Sequence, residues 1–229
     1  MKKFKLTSEF IVDISGAKLF RIKALIGFDD VEAGDLGGYI EKEENLSHMG
    51  NAWVFGEAQV SGDAQVFGDA RVSGNAQVFG DARVFGEAQV FGDAQVFGDA
   101  WISGEAQVFG NAWVFGDAQV FGDARVFEDA QVFGEAQVFG NARVFGDAQV
   151  SGNAQVFGDA DYAYAHGFGS CNRTTTFFRI KDGDVGVQCG CFYGTLAQFR
   201  DKVQETHGET KKAQEYLMLA DLMKLRFEK

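Results

Sequence analysis

The chain has 229 residues, among them 30 Gly, 24 Phe and no Pro, so a repeated unit dominates its composition. A hydrophobic share of 46% excludes a disordered chain, and the absence of a long apolar run excludes a membrane-spanning segment. The formal net charge of -12 argues against direct binding to nucleic acid or to an anionic membrane.

Most of the negative charge lies in the middle of the chain. Residues 51–160 carry 4 basic and 15 acidic residues, a net charge of -11, whereas residues 1–50 sum to -2 and residues 161–229 to +1. This middle segment should attract basic surfaces, with a strength that depends on salt. The alternative is that its carboxylates only keep a repetitive β protein soluble.

The first 50 residues predict an N-terminal β-hairpin that leads into the repeats. The segments FKLTSEFIV and KLFRIKALI flank Ser15 and Gly16, a pattern typical of two strands around a tight turn. The N-terminus MKKFKLTSEF has no hydrophobic signal region. The three Cys are an odd number, which fits a reducing compartment better than a set of disulfides. We therefore expect a cytoplasmic protein in a bacterial cell.

A six-residue unit, A-x-V-x-G-x, recurs 18 times without an insertion over residues 52–156. Its third place is Val except at Ile102, and its Gly place is broken only at Glu128. Alternation puts Ala and Val on one side of a short strand, and Gly followed by Asp, Glu or Asn suits a tight corner. Each hexad is therefore predicted to form one strand and one turn, with Ala and Val buried when hexads stack.

This repeat resembles the left-handed parallel β-helix of the hexapeptide-repeat superfamily, in which three hexads make one triangular coil. The resemblance implies a mainly β fold with about six regular coils. At a strand spacing of about 4.8 Å, these coils would span roughly 29 Å.

Coils of three hexads would stack equivalent positions of every third hexad into columns, and Phe fills much of three such columns. These are Phe55, Phe91, Phe109, Phe127 and Phe145; Phe79, Phe97, Phe115 and Phe133; and Phe67, Phe85, Phe121, Phe139 and Phe157. We expect these rings to lie outside the core and to stack as aromatic ladders. They either serve structure alone or mark an interface for oligomerisation or for a partner.

Three Trp replace the Gln or Arg that is usual at the outward place of the strand. Trp is enriched at binding hot spots, although drift of the repeat explains three Trp equally well. Together with the Phe ladder and the acidic columns, they give the predicted partner-binding residues. These are Trp53, Trp101, Trp113, Phe97, Phe115, Asp99 and Asp117.

Residues 161–229 predict a separate α+β module. TTTFFRIK and VGVQCGCF flank Asp182 and Gly183, which indicates a hairpin. Thr195 and Gln198 form a capping-box pattern for a first helix that ends at Gly208. A second helix is predicted from about Thr210, with an apolar stripe of Tyr216, Leu217, Ala220 and Met223. The module is therefore predicted as ββαα.

Two parts of the chain resemble known families. Residues 19–24 (LFRIKA), 34–41 (GDLGGYIE), 45–47 (NLS) and 50–54 (GNAWV) resemble the YdcK-like family, which implies that residues 1–50 cap the first coil. The string CGCFYGTLAQFRDKVQETHG at 189–208 resembles a tail of small phage and prophage proteins. The predicted domains are thus residues 1–50, an N-terminal β cap; residues 51–160, the β-helix; and residues 161–229, the ββαα module.

No catalytic residue, metal or cofactor is predicted. Many proteins with this β-helix are acyltransferases that use a His on a coil and a protruding loop, but residues 51–165 contain no His, Lys, Cys or insertion. Cys171, Cys189 and Cys191 have the ligand type for structural zinc at poor spacing. The pair Cys189 and Cys191 should lie on one face of a strand as small buried thiols.

These features favour a non-enzymatic phage or prophage binding protein, a counter-defence inhibitor whose acidic β-helix engages a host protein with a basic surface. One alternative is a sponge for a small nucleotide signal, held by Arg179, Lys181 and Arg200 in the mildly basic C-terminal module. Another is a self-assembling scaffold built on the Phe ladders. A homo-oligomer is expected.

Overall fold

A computed structural model describes residues 2–168, 173–181 and 183–228. The N-terminal strands are β1 Phe4–Val12, β2 Lys18–Ala24 and β3 Leu36–Ile40, and the C-terminal strands are β22 Tyr162–Phe168, β23 Arg173–Arg179, β24 Val185–Cys189 and β25 Phe192–Thr195. Helices α1 Leu196–His207 and α2 Lys211–Phe227 follow. Single 3-10 turns lie at Glu43–Asn45 and Asp159–Asp161.

Each hexad forms one short strand, as predicted. In chain order these strands are β4 Trp53–Val54, β5 Gln59–Val60, β6 Gln65–Val66, β7 Arg71–Val72, β8 Gln77–Val78, β9 Arg83–Val84, β10 Gln89–Val90, β11 Gln95–Val96, β12 Trp101–Ile102, β13 Gln107–Val108, β14 Trp113–Val114, β15 Gln119–Val120, β16 Arg125–Val126, β17 Gln131–Val132, β18 Gln137–Val138, β19 Arg143–Val144, β20 Gln149–Val150 and β21 Gln155–Val156.

Every third strand stacks in parallel, so the repeats form a β-solenoid with three faces. Face 1 contains β4, β7, β10, β13, β16 and β19; face 2 contains β3, β5, β8, β11, β14, β17 and β20; face 3 contains β6, β9, β12, β15, β18 and β21. Partners are three hexads apart, as in Gln89 and Gln107. We name the corners edge 1–2, edge 2–3 and edge 3–1 after the faces that they join.

The solenoid has about seven turns, one more than predicted. Strand β3 pairs in parallel with β5, and Leu46 bridges to Val66, so the segment before the hexads supplies the extra turn. The sequence did not reveal this turn because Ile40 pairs with Val60, a separation that does not match the spacing of three hexads.

The solenoid interior consists of the Ala and Val of the hexads, each with an exposed fraction of 1% or less. The corners need a left-handed backbone, and Glu128 adopts a φ of 60°, close to the 70° of Gly110 in the coil before. The Gly places also stack closely, since a Cβ on Gly98 would lie 2.9 Å from the backbone N of Gly116. Gly at this place is therefore favoured by both conformation and packing.

The N-terminal end of the solenoid is closed by hydrogen-bond donors. Within the repeats the N–H of each coil donates to a carbonyl of the next coil, as Gln59 does to Ala76 at 2.9 Å. The carbonyls of the first coil therefore need donors from the cap. Tyr39 N donates to the carbonyl of Ala58, and Asn45 Nδ2 donates to that of Ala64 at 2.8 Å. The capping role predicted for this segment has this chemical basis.

The C-terminal end is closed by acceptors, because the last coil presents unpaired N–H groups. The Asp159 carboxylate accepts from Arg143 N at 2.9 Å, and Thr176 Oγ1 accepts from Gln149 N at 2.8 Å. Ala154 also bridges to Ile180 of the C-terminal module. The two ends of the solenoid are thus sealed by groups of opposite hydrogen-bonding character.

The C-terminal module has a sheet of four antiparallel strands, ordered β22-β23-β24-β25, where the sequence predicted two. The predicted hairpin is β23 and β24, although Asp182 lies outside the described residues. Phe178 packs into the solenoid core, whereas Phe177 packs with the two helices. The sheet therefore covers the end of the solenoid with one side and carries the helices on the other.

The two helices begin where the sequence predicted. Thr195 Oγ1 accepts from Gln198 N at 3.3 Å, and Gly208 is the C-cap of α1. Thr210 is the N-cap of α2. Neither described helix is long and apolar enough to cross a bilayer.

Candidate protein-binding edge

Edge 2–3 carries a stacked aromatic column. Neighbouring rings of Phe79, Phe97, Phe115 and Phe133 lie 4.9 to 5.0 Å apart between centroids and are nearly parallel. Each Phe directly follows a buried Val of face 2, which turns its side chain out of the core. The predicted ladder is confirmed here, although the rings are half-buried rather than fully exposed.

A column of carboxylates runs beside this ladder, two places further along each hexad. Its members are Asp63, Asp81, Asp99, Asp117 and Glu135. Asp63 pairs with Lys42 of the cap, and this carboxylate raises the pKa of Lys42 above its usual value. Within the described residues no hydrogen bond or ion pair reaches the carboxylates of Asp81, Asp99 or Asp117, although Arg83 and Lys181 line the grooves beside them.

Edge 1–2 differs because Asn alternates with Asp there. Asn75 Nδ2 donates to Asp93 at 2.9 Å, and Asn111 Nδ2 donates to Asp129 at 3.0 Å. These two carboxylates are therefore partly satisfied by amides. Edge 2–3 therefore has a longer run of carboxylates without hydrogen-bond partners than edge 1–2 has.

Two exposed Trp flank edge 2–3. Trp113 on face 2 is 40% exposed and meets the ring of Phe97 edge-on at 6.3 Å. Trp101 on face 3 is 41% exposed, and the guanidinium of Arg83 lies 5.2 Å from its ring. Broad aromatic surface thus borders the carboxylate column on both sides.

A shallow groove of about 500 Å³ runs along face 3 at this edge. It is lined by Asp81, Arg83, Asp99, Trp101, Asp117 and Gln119. Sequence reasoning did not single out Arg83 or Gln119. Both could have been predicted from the sequence, because they lie three hexads before and after Trp101 and therefore in the same column.

Six of the seven predicted partner-binding residues meet at this one edge. They are Trp101, Trp113, Phe97, Phe115, Asp99 and Asp117, all in consecutive coils. The outward placement predicted for Trp53 is wrong, because Trp53 is 1% exposed. The cap covers face 1 at the first coil, and Phe28 and Phe4 pack on the indole at 5.4 and 6.1 Å.

The residues predicted for a small anionic ligand do not line one groove, although Arg179 and Arg200 both border Phe227. Arg179 Nε pairs with Asp161 at 3.0 Å, and Arg200 pairs with Asp221. Lys181 lines a separate groove of face 3 together with Asp117 and Glu135. The three cations therefore do not form one pocket.

The predicted arrangement of the cysteines is also wrong in part. Cys189 ends β24 half-buried and accepts a hydrogen bond from Thr175 Oγ1 at 3.2 Å, whereas Cys191 is exposed in the following turn. The two thiols do not share a strand face because the strand ends between them. Cys171 lies outside the described residues. Among those that are described, no three His, Cys, Asp or Glu side chains are grouped to hold a metal ion.

Comparison with protein families identifies the repeat. The family model described as YdcK Beta solenoid repeat matches residues 58–74, 64–78, 76–90, 118–134 and 136–152. The β-helix is YdcK-like. The six converging residues lie in the part of this YdcK-like β-helix between the matched segments, at residues 97–117. The search of curated proteins returns no match to the chain.

Proposed function

We propose that this chain is a non-enzymatic binding protein whose acidic YdcK-like β-helix engages a basic host protein along edge 2–3, in a counter-defence role for a phage or prophage. The observation that carries the proposal is the position of exposed Trp101 and Trp113 on the two sides of free carboxylates. Large aromatic side chains dominate binding energy, and complementary charge speeds association. The phage origin rests on the resemblance of residues 189–208 and stays a prediction.

The spacing of the edge favours an α-helix of the partner over an extended strand. Neighbouring coils rise by 4.9 to 5.0 Å along the Phe ladder. A helix advances about 5.4 Å per turn, whereas side chains on one side of a strand recur about every 6.7 Å. A helix with one Arg or Lys per turn therefore stays in register with Asp81, Asp99 and Asp117.

The proposal is tested by calorimetric titration with a designed peptide. The probe is an alanine-based helical peptide with one Arg per turn on one side, and its control has the same composition with Arg spread around the helix. We expect the first peptide to bind more tightly by at least about tenfold and to lose affinity when salt is raised.

Matched charge variants locate the site. Asp99→Asn with Asp117→Asn should weaken binding of the first peptide by at least about tenfold. Asp93→Asn with Asp129→Asn removes the same charge from edge 1–2 and should weaken binding by no more than about twofold. Equal losses in both variants, or equal affinity for both peptides, would show that only net charge acts and would contradict the proposal.

The other two functions have less support. A sponge for a nucleotide signal needs a cationic pocket, but Arg179, Lys181 and Arg200 do not line one groove, and both Arg side chains are held in ion pairs. A scaffold built on the Phe ladders needs free aromatic faces, but within the ladders these faces stack on one another.

A further inference from the structure

Helix α2 has two apolar sides, of which its own chain covers one. Tyr216, Ala220 and Met223 are buried against the sheet and α1. On the opposite side Met218 is 71% exposed, Leu222 is 55% exposed and Leu225 is 69% exposed. Successive steps of about one helical turn put these three side chains in one line, the pattern by which helices pair. We name this line the outer stripe.

The charges beside the outer stripe indicate what covers it. Glu215 and Arg226 are separated by close to three full turns of α2, so both lie on the same flank of the stripe. Glu215 stands at one end and Arg226 at the other. A flank with opposite charges at its two ends complements its own copy when the two helices run in opposite directions.

We infer that the outer stripe of α2 pairs antiparallel with α2 of a second copy of this chain. A two-fold axis midway between Glu215 and Arg226 brings each Glu215 to the Arg226 of the other copy and opposes Met218 to Leu222. A parallel pair would instead set the flank of Glu215 and Arg226 against the opposite flank of the second helix, so these two residues would not meet across the interface.

Neighbouring charges are compatible with this pairing. Asp221, near the axis on the other flank, is paired with Arg200 of its own chain, so its charge is offset there. Glu215 has an intrahelical contact with Lys211 at 3.8 Å, but Lys211 is 88% exposed. Such an exposed pair is weak and leaves the carboxylate available to Arg226 of the second copy.

The test measures the mass of the full-length chain in solution by sedimentation velocity over a range of concentrations. Wild type should have twice the 25.0 kDa mass of one chain at high concentration. Leu222→Asp should be monomeric, while Met49→Asp, at a site that is 81% exposed and far along the chain, should dimerise like wild type. Circular dichroism checks that each variant folds.

A charge swap makes the test specific for the antiparallel geometry. Glu215→Arg alone should raise the dimer dissociation constant several-fold, and adding Arg226→Glu should restore it. A wild type that stays monomeric up to about 100 μM would overturn the inference. So would a dimer that survives Leu222→Asp, or a double variant no better than Glu215→Arg. None of these outcomes bears on peptide binding at edge 2–3.

Discussion

Lys3 places an ammonium group inside the N-terminal end of the solenoid, with 1% of the residue exposed. Nζ donates to the carbonyls of Ala52 at 2.7 Å and Gly50 at 3.2 Å, and it lies 4.9 Å from the ring of Phe28. Burial lowers the pKa of Lys3 to about 8, against an opposing effect of the Asp69 carboxylate. The residue thus satisfies two carbonyls while its charge is costly to bury.

This lowered pKa predicts a specific dependence of stability on pH. Between pH 8 and 10.5 the unfolded chain holds the Lys3 proton more tightly than the folded chain, so the free energy of unfolding rises with pH there. The rise from this group amounts to at most about 3 kcal/mol. Urea unfolding of wild type and of Lys3→Met between pH 8 and 10.5 measures the contribution of Lys3 to the free energy of unfolding.

The comparison uses the pH slope rather than the absolute stability, because Lys3→Met also leaves the carbonyls of Gly50 and Ala52 without their donor. Wild type should gain stability relative to Lys3→Met as pH rises from 8 to 10.5. Parallel curves for the two proteins would contradict the assignment of a lowered pKa to Lys3.

The sequence predicts which side chains are buried in the regular hexads, but it fails for residues that the N-terminal cap covers. Alternation alone predicted the burial of every Ala and Val in the coils. It could not predict the burial of Trp53 or Lys3, because both are covered by groups far away in sequence. An outward place in a strand becomes interior when another element lies on it.

At the scale of the elements, Ser interrupts the Phe ladders for different structural reasons. Ser151 is 2% exposed, and its Oγ donates to Gln188 Oε1 at 2.7 Å beneath the C-terminal sheet. Ser103 is half-buried in the middle of the solenoid, in the column between Phe85 and Phe121. A ring at position 103 would complete a ladder, whereas one at position 151 would displace the cap.

The same substitution at these two positions should therefore have opposite effects. Ser103→Phe should raise the free energy of unfolding by about 0.5 to 1.5 kcal/mol through ring stacking. Ser151→Phe should lower it by more than about 2 kcal/mol through overpacking and loss of the hydrogen bond to Gln188. Urea denaturation measures both. Destabilisation by Ser103→Phe of the same size as by Ser151→Phe would count against this account of the ladders.

In the C-terminal module the sequence predicted both helices but only two of the four strands. Helix caps are local signals, so both helix starts followed from Thr195 and Thr210. Strand β22 was missed because residues 161–170 were interpreted as decay of the repeat, and β25 was missed because VGVQCGCF was interpreted as one strand, although Gly190 and Cys191 separate β24 from β25. Strand β22 pairs with β23 across residues 169–172, and β25 is short and runs directly into α1.

For the whole molecule, the sealed ends decide which surfaces remain for partners. Donors close the carbonyl end and acceptors close the N–H end, so neither end offers a ready template for another strand. The faces and edges of the solenoid and the outer stripe of α2 remain open. Stacking of every third hexad predicted which side chains share an edge, but the exposed fractions that single out Trp101 and Trp113 required the structure.

The most direct test of the binding edge is site-specific photo-crosslinking in bacterial lysate. A photoreactive phenylalanine analogue replaces Trp101 in one protein and Gln89, on face 1, in a control protein. The account predicts an adduct with a basic protein at position 101 alone, lost when salt is raised from about 0.05 M to about 0.5 M. Adducts that are the same at both positions, or no adduct at position 101, would contradict it.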